Sequence, residues 1–200
     1  MRALRSFFIF RFARVALASL SYQPLGIMKF SELLQLPFDR NTGIVDIDAI
    51  LSRLPHTPSQ VAKQFLSDHG RKSDFQAQYR DVDLSQIKWR SVDETALALS
   101  KATVFPGFQN WYDNVARRPE AFGEQGWKCI DSRKPIQKHW KVYGTWLVPP
   151  VLLRAKAASS SYEYHLAEGH TRVGLLSGLV SKSLLAPESK HTIWLGAHGA

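Results

Sequence analysis

The 200-residue sequence is 44% hydrophobic and 12% aromatic, and its formal net charge at pH 7 is +9. This composition excludes a disordered chain, because it is sufficient for a hydrophobic core in one domain, with or without a helical appendage. The single cysteine, Cys129, excludes an intramolecular disulfide framework and a cysteine-based zinc cluster. One cysteine suits a reducing compartment, so we expect a cytoplasmic protein in which Cys129 is a small buried hydrophobic residue.

The positive charge is concentrated at the two ends of the sequence. Residues 1–27 contain four arginines and no acidic residue, and residues 126–200 contain ten basic and four acidic residues. A basic C-terminal segment favours an anionic partner, either nucleic acid or the phosphate of a nucleotide. The alternative, that these charges serve only solubility, stays open.

The N-terminal segment, residues 1–27, is Arg-rich and carries apolar patches, as signal and transit peptides do. Arg11 and Arg14 interrupt its apolar run far short of a membrane span, so we expect no transmembrane helix. Two interpretations remain open: a basic amphipathic arm, or sequence upstream of a start at Met28. In either case we expect a poorly packed extension to which no chemistry is assigned.

Residues 28–122 are predicted to form a helical region. Apolar residues at the spacing i, i+3, i+4 and i+7 indicate helices with one buried face, and capping residues or prolines mark several of their starts. The predicted helices cover residues 46–54, 58–69, 91–99 and 106–116.

The most polar part of this region, residues 67–81, contains Asp68, His69 and Asp74. Adjacent Asp and His residues point to different faces of a helix, so they do not form a metal-binding pair at the i, i+4 spacing. A histidine is also favourable at the C-terminal end of a helix dipole. We therefore interpret His69 as part of a helix end, with Gly70 in a left-handed turn.

A boundary at Gly123–Gly126 precedes a second segment, residues 126–200, in which strands and helices are mixed. Pro135 and Gly144 favour the two ends of one helix, and a further helix is expected after Gly169. Alternating apolar residues are typical of a half-buried strand. The predicted strands cover residues 127–130, 147–155, 162–167 and 191–196, with a hairpin loop at residues 157–161.

A polar turn, residues 169–172, lies between a predicted strand and a predicted helix. A helix N-terminus presents unpaired N–H groups and the positive end of the helix dipole, which favours an anion. Gly169 lets the chain turn tightly, and His170 and Thr171 can donate hydrogen bonds. Arg172 can hold two phosphate oxygens, so we predict a phosphate cradle. In the alternative, Thr171 only caps the helix and Arg172 pairs with Glu168 or with the glutamate at position 163.

Residues 134–180 resemble the ParB/sulfiredoxin fold family in the order of their elements and in two motifs. The segment GTWLVPPVLL, residues 144–153, is similar to the helix-ending glycine and Q-P-I-x-V strand of ParB-type N-terminal domains. The segment EGHTR, residues 168–172, is similar to their G-E-R-R turn. The resemblance implies an α+β protein, with a helical N-terminal region followed by a small ParB/sulfiredoxin-like mixed α/β domain over residues 126–200.

The resemblance also implies catalytic residues, because the family includes nucleases and small-molecule kinases. Glu168 would hold Mg²⁺ or act as a base, His170 would be a general acid, and Arg172 would neutralise phosphate. The implied cofactors are a nucleotide, ATP or CTP, and Mg²⁺. The implied activity is that of a ParB-like nuclease, an NTPase or a phosphotransferase.

The turn departs from the family pattern in two ways. His170 replaces the cysteine of the sulfiredoxin turn, so sulfinic-acid reduction is not expected. His170 and Thr171 also replace the acidic and basic residues of the ParB turn, and we do not expect a CTP-gated clamp. The phosphate site itself is the part of the resemblance that these departures leave intact.

Two classes of protein without catalysis stay open. One is a nucleic-acid-binding or nucleotide-binding module, in which the basic face acts together with Trp140 and Trp146 as ligand contacts. The other is an interaction protein whose helical region binds a partner protein, with the turn serving only as a helix cap. The sequence therefore predicts a phosphate-binding protein and leaves catalysis, the metal and the base undecided.

Overall fold

A computed structural model describes residues 26–154 and 163–198. Within these ranges the chain folds into eight α-helices and a four-stranded mixed sheet. The prediction of a fold that mixes helices and strands is confirmed. Most of the predicted N-terminal extension and the predicted hairpin loop at residues 157–161 lie outside the described residues. No helix in the described ranges is long and apolar enough to cross a membrane.

The helices and strands follow one another along the chain with short 3₁₀ turns between several of them. The helices are α1 (Ile47–Arg53), α2 (Ser59–Val61, continued by the π-helical turn Ala62–Ser67), α3 (Ser73–Tyr79), α4 (Ala96–Ser100), α5 (Pro106–Ala116), α6 (Phe122–Gln125), α7 (Lys134–Tyr143) and α8 (His170–Ser181). The strands are β1 (Ile87–Thr95), β2 (Val151–Arg154), β3 (Tyr164–Glu168) and β4 (Lys190–His198).

The sheet has the strand order β1-β4-β2-β3. Strand β4 pairs antiparallel with β1 and parallel with β2, and β2 pairs antiparallel with β3. Strand β1 comes from residues that were predicted to be helical, whereas the other three strands come from the predicted mixed domain. One sheet therefore joins both predicted segments of the chain.

Two predicted elements of secondary structure are wrong. Residues 91–94, predicted as the start of the helix over residues 91–99, lie within β1, and α4 begins only at Ala96, with Thr95 as its N-cap. The Oγ1 atom of Thr95 accepts a hydrogen bond of 3.1 Å from the N–H of Ala98, so the cap exists but lies later in the chain. The predicted strand at residues 127–130 is instead a 3₁₀ turn, Gly126–Cys129.

The sheet separates two hydrophobic clusters. Consecutive residues of β2 point to opposite faces, so Val151 and Leu153 belong to one cluster and Leu152 to the other. The first cluster is built from the N-terminal part of the chain and includes Phe65 and the other buried residues of α1, α2 and α3. The second is covered by α4, α5, α7 and α8. Helices thus cover both faces of the sheet, which explains why β2 carries apolar residues on both sides.

Helix α8 packs closely against α5 through two glycines that lie one turn apart. A Cβ atom at Gly178 would overlap the carbonyl oxygen of Ala116 and lie 2.9 Å from its carbonyl carbon. At Gly174 the corresponding atom would lie 3.1 Å from the carbonyl oxygen of Tyr112. The absence of side chains at these positions sets how near the two helices can approach.

Two buried histidines have hydrogen-bond partners at both ring nitrogens. His165 Nε2 lies 2.7 Å from the hydroxyl oxygen of Tyr79, and its Nδ1 lies 3.1 Å from Thr103 Oγ1. The ring nitrogens of His191 each lie 2.9 Å from a serine or threonine hydroxyl. Burial lowers the pKa of each histidine to about 4, so both are neutral at pH 7.

Acidification is expected to destabilise the fold through these histidines. An unfolded histidine with a pKa of 6.5 takes up a proton that the folded chain excludes, so stability falls as pH drops from about 6.5 to about 4. Each histidine accounts for a loss of roughly 2 kcal/mol at pH 5. Urea unfolding at pH 7.5 and pH 5 should show a smaller difference for His165→Gln than for the wild type. The exposed control His56→Gln should keep the full difference, and equal differences in both variants would contradict the assignment.

Candidate functional site

A cavity of about 540 Å³ lies at the N-terminal end of α8. All seven residues that the sequence predicts as ligand contacts or catalytic groups line it: Glu168, Gly169, His170, Thr171 and Arg172 from the turn, together with Trp140 and Trp146. The cavity also has walls from α3, α5 and the segment between α7 and β2. The fold therefore brings the predicted site residues to one place.

Gly169 is the turn residue that joins β3 to α8. Its φ of 100° lies in the left-handed region, and a Cβ atom there would lie 2.5 Å from the Cβ of Pro150. Gly169 is also the N-cap of α8, and no side chain caps this helix end. Thr171 therefore does not cap the helix; its Oγ1 instead accepts a hydrogen bond of 3.3 Å from Trp111 Nε1.

Arg172 holds several parts of the cavity wall together. Its guanidinium donates from Nη1 to the carbonyl oxygens of Val148, at 2.7 Å, and Pro149, at 3.3 Å. Its Nη2 donates to Gln64 Oε1 at 3.0 Å and forms an ion pair with Glu168. This is the Arg172–Glu168 pairing that the sequence leaves open as the alternative to phosphate binding. Any phosphate contact of Arg172 would add to these four acceptors or replace one of them.

Glu168 is a largely buried carboxylate at the end of β3. Burial raises its pKa, and the charge and hydrogen bond of Arg172, with the backbone N–H of Gly169, oppose that rise. His69 Nε2 lies 4.0 Å from the other carboxylate oxygen of Glu168. Glu168 thus lies between an arginine that orients it and a histidine of the cavity wall.

Two histidines of the cavity wall are joined by a row of aromatic rings. His69 stacks on Phe75 with ring centroids 4.2 Å apart, Phe75 meets Phe108 at 5.4 Å, and Phe108 meets His170 at 4.7 Å. His69 Nδ1 and His170 Nε2 are buried and have no hydrogen-bond partner among the described residues. Burial is the main cause that lowers the pKa of each to about 4, so both rings are neutral at pH 7.

Trp140 and Trp146 are more deeply buried than ligand contacts on an open surface would be. Their exposed fractions are 1% and 4%, and the two rings meet edge to face at 6.2 Å. Trp146 Nε1 donates a hydrogen bond of 2.7 Å to the carbonyl oxygen of Thr192 in β4. They form part of the apolar inner wall of the cavity.

Sequence analysis did not predict several residues of the cavity, among them His69, Lys72, Phe75 and Phe108. It placed His69 at a helix end, where the structure also has it, and that position brings its ring to Glu168. Gly70, however, does not adopt a left-handed conformation; a Cβ atom there would overlap the carbonyl oxygen of Leu66. The polarity of residues 67–81 was the only signal of the site.

The residues around Glu168 fit Mg²⁺ only if most of the metal ligands come from outside the protein. Within the described ranges, no group of three or more histidine, cysteine, aspartate or glutamate side chains is arranged to hold a metal ion. Mg²⁺ bound beside Glu168 would therefore take most of its ligands from water and from the phosphates of a nucleotide, as Mg²⁺ commonly does.

Comparison with known proteins gives no match: no protein-family model, no curated protein and no solved structure is similar to this sequence or fold. The resemblance to the ParB/sulfiredoxin family therefore stays a prediction from two short motifs. The candidate site has to be argued from its own geometry.

Proposed function

We propose that this protein binds a phosphate-bearing ligand of mononucleotide size in the cavity at the N-terminus of α8. The single observation that carries the proposal is the meeting of two surfaces in one cavity: the first turn of a twelve-residue helix and a wall of aromatic rings. Free N–H groups at a helix start favour phosphate, and aromatic rings favour a nucleotide base.

The phosphate is assigned to the end of the cavity formed by Gly169, His170 and Thr171. The first N–H groups of α8 have no carbonyl partner inside the helix, and the helix dipole makes this end positive. Lys72 lines the same cavity and has no ion-pair partner among the described residues, so its ammonium group is available to an anion. Because Glu168 already balances Arg172, we assign the arginine a supporting part in binding.

The size and shape of the cavity favour a nucleotide over duplex nucleic acid. A volume of about 540 Å³ lies within the range of roughly 300–1,000 Å³ that small-molecule sites have. A base within a duplex would have to leave its stack to reach Trp140 or Phe108, which costs a few kcal/mol. A free nucleotide reaches the same wall without that cost.

A thermal-shift titration tests this function directly. ATP, CTP or GTP, each with and without Mg²⁺, is expected to raise the unfolding midpoint of the whole chain, because a ligand of the native state stabilises it. Lys72→Glu is expected to weaken binding about tenfold or more, since a charge-assisted contact is lost and a negative charge is introduced. Lys88→Glu makes the same charge change on β1, outside the cavity, and should bind like the wild type. The proposal fails if no nucleotide shifts the midpoint, or if the two variants respond alike.

A second candidate function rests on the four acceptors of Arg172. They give the arginine a complete structural role, as expected for a non-catalytic DNA-binding or protein-interaction module in which the turn only joins β3 to α8. Adding a short DNA duplex as a ligand in the same thermal-shift titration distinguishes the two candidate functions. A shift with the duplex and none with nucleotides would favour the second candidate.

A further inference from the structure

The C-terminal end of α7 exposes several apolar side chains close together. Val142 and Tyr143, in its last turn, are 59% and 68% exposed, and Leu147 and Val148, just beyond the turn at Gly144, are 52% and 40% exposed. Single exposed apolar residues are normal on a protein surface, whereas a cluster of them is typical of an interaction site. We call these four exposed residues the α7 tip.

The cavity does not account for the whole of the α7 tip. Leu147 and Val148 line the cavity, but Val142 and Tyr143 do not. A ligand inside the cavity would therefore leave half of the tip in water. A second partner that lies against the outside of the protein is needed to cover the rest.

The same helix carries a row of lysines. Lys134, Lys138 and Lys141 have the spacing i, i+4 and i+7 and are exposed, so they lie along one side of α7. None of the three has an ion-pair partner among the residues that the structure describes. Val142 lies four positions after Lys138, which places the lysine row beside the tip. Residues 133–148 contain four basic residues and no acidic one, so this surface combines positive charge with apolar groups.

This combination argues against three other partners. A nucleic acid would use the lysines and could stack on Tyr143, but it would leave the three aliphatic side chains of the tip without a partner. A second copy of the chain in a two-fold contact would bring its own lysine row against this one. A folded acidic protein needs a larger matching surface, because specific interfaces bury roughly 800 Å² on each partner and the tip offers only four apolar side chains.

A membrane that contains anionic lipids fits both properties of the surface. Lysines gain from the negative headgroups, while apolar side chains enter the boundary between the headgroups and the acyl chains, where tyrosine is also favourable. A fluid bilayer adapts to a helix end and needs no matching groove. We propose that the α7 tip and the lysine row dock this protein on the surface of such a membrane.

The docking surface is separate from the phosphate end of the cavity, so this inference does not rest on the proposed function. The two are neighbours, however, because Leu147 and Val148 belong both to the tip and to the cavity wall. Docking would therefore bring the membrane surface to that side of the cavity.

Cosedimentation of the whole chain with lipid vesicles tests the docking. Vesicles of phosphatidylcholine and phosphatidylserine in equal amounts are expected to bind the protein. Vesicles of phosphatidylcholine alone should bind it about tenfold more weakly or less, because the lysines then have no anionic lipid to attract. Added salt should weaken binding to the anionic vesicles, since it screens the same attraction.

Two variants of α7 locate the contact. Lys138→Glu replaces attraction by repulsion, and Val142→Glu puts a charge where an apolar side chain enters the membrane, so each should weaken binding about tenfold or more. Both positions are exposed and glutamate is a good helix former, so both variants should fold. Lys88→Glu and Leu97→Glu make comparable changes at exposed positions outside α7 and should bind like the wild type.

The outcomes decide the inference without deciding the proposed function. Binding that both α7 variants lose and both controls keep supports the docking surface. Failure to bind the anionic vesicles overturns it. Equal binding by the wild type and both α7 variants also overturns it, and assigns the contact to another part of the chain, such as the four arginines of residues 1–27.

A nucleic acid is tested in parallel with a single-stranded oligonucleotide. Oligonucleotide binding that Lys138→Glu abolishes, in a protein that does not bind the vesicles, would overturn membrane docking and make α7 a nucleic-acid interface. The nucleotide-induced thermal shift should persist in Lys138→Glu and Val142→Glu, because neither residue lines the cavity. Lys72→Glu, which tests the proposed function, should bind vesicles like the wild type.

Discussion

Arg172→Ala is expected to lower the free energy of unfolding by about 3–5 kcal/mol, because it leaves a buried carboxylate without its partner. Glu168 has only 19% of its side chain exposed, and burial already raises its pKa in the presence of the arginine. The same change also removes the donors to Gln64 and to the carbonyl oxygens of Val148 and Pro149. Urea unfolding at pH 7 measures the loss.

A double substitution separates the ion pair from packing. Adding Glu168→Gln to Arg172→Ala removes the unpaired charge, so the double variant should be more stable than the single one. If Arg172→Ala unfolds within about 0.5 kcal/mol of the wild type, the arginine behaves as a surface group and the network has been misassigned. Loss of nucleotide binding in Arg172→Ala is therefore ambiguous, and Lys72→Glu is the better probe of phosphate contact.

Gly178→Ala is expected to destabilise the protein by about 2–3 kcal/mol, although alanine is the better helix former. The new Cβ atom would overlap the carbonyl oxygen of Ala116, and backbone atoms cannot move aside as a flexible side chain can. Helices α5 and α8 would have to separate, which weakens the second hydrophobic cluster. The thermal midpoint and the urea midpoint should both fall.

A second glycine in a helix supplies the control. Gly123 lies in α6, and a Cβ atom there would meet no atom within 4 Å. Gly123→Ala should therefore be neutral or stabilising by up to about 1 kcal/mol, as the propensity difference alone requires. Equal destabilisation of the two variants would contradict the close approach of α5 and α8.

The elements that sequence reasoning predicted well are those defined by local signals. Pro135 and Gly144 correspond to the start and end of α7, and Gly144 has the left-handed φ of 64° that a helix-ending glycine favours. Pro106 begins α5. In these cases the residue that stops or starts a helix acts on its own neighbours, so no knowledge of the tertiary fold is needed.

Strand β1 was missed because its stability comes from elsewhere in the chain. Its sequence, IKWRSVDET, contains four charged residues, and the Ser-x-x-Glu pattern within it also fits a helix start. What makes it a strand is pairing with β4, for example between Val92 and Ile193, about a hundred residues later. The secondary-structure propensity of the segment itself contains no information about so distant a partner.

The candidate site was predictable in part, because some of its residues are close together in the sequence and others are not. The turn at residues 168–172 is contiguous, so its polar residues were recognised together. His69 and Phe75 are far from it in sequence, and each has an ordinary local explanation as a helix end or a helix face. Only the tertiary fold, which places the end of the helix that precedes α3 beside the end of β3, brings these side chains into one cavity.

The strand order has a consequence for the way this chain is made. Strand β4 lies between β1 and β2 in the sheet, yet it is the last of the four strands to leave the ribosome. Until then β1 has no strand to pair with, and the hairpin of β2 and β3 lacks its parallel neighbour. Sheet completion must therefore follow synthesis of residues 190–198, and until then the nascent chain exposes open strand edges.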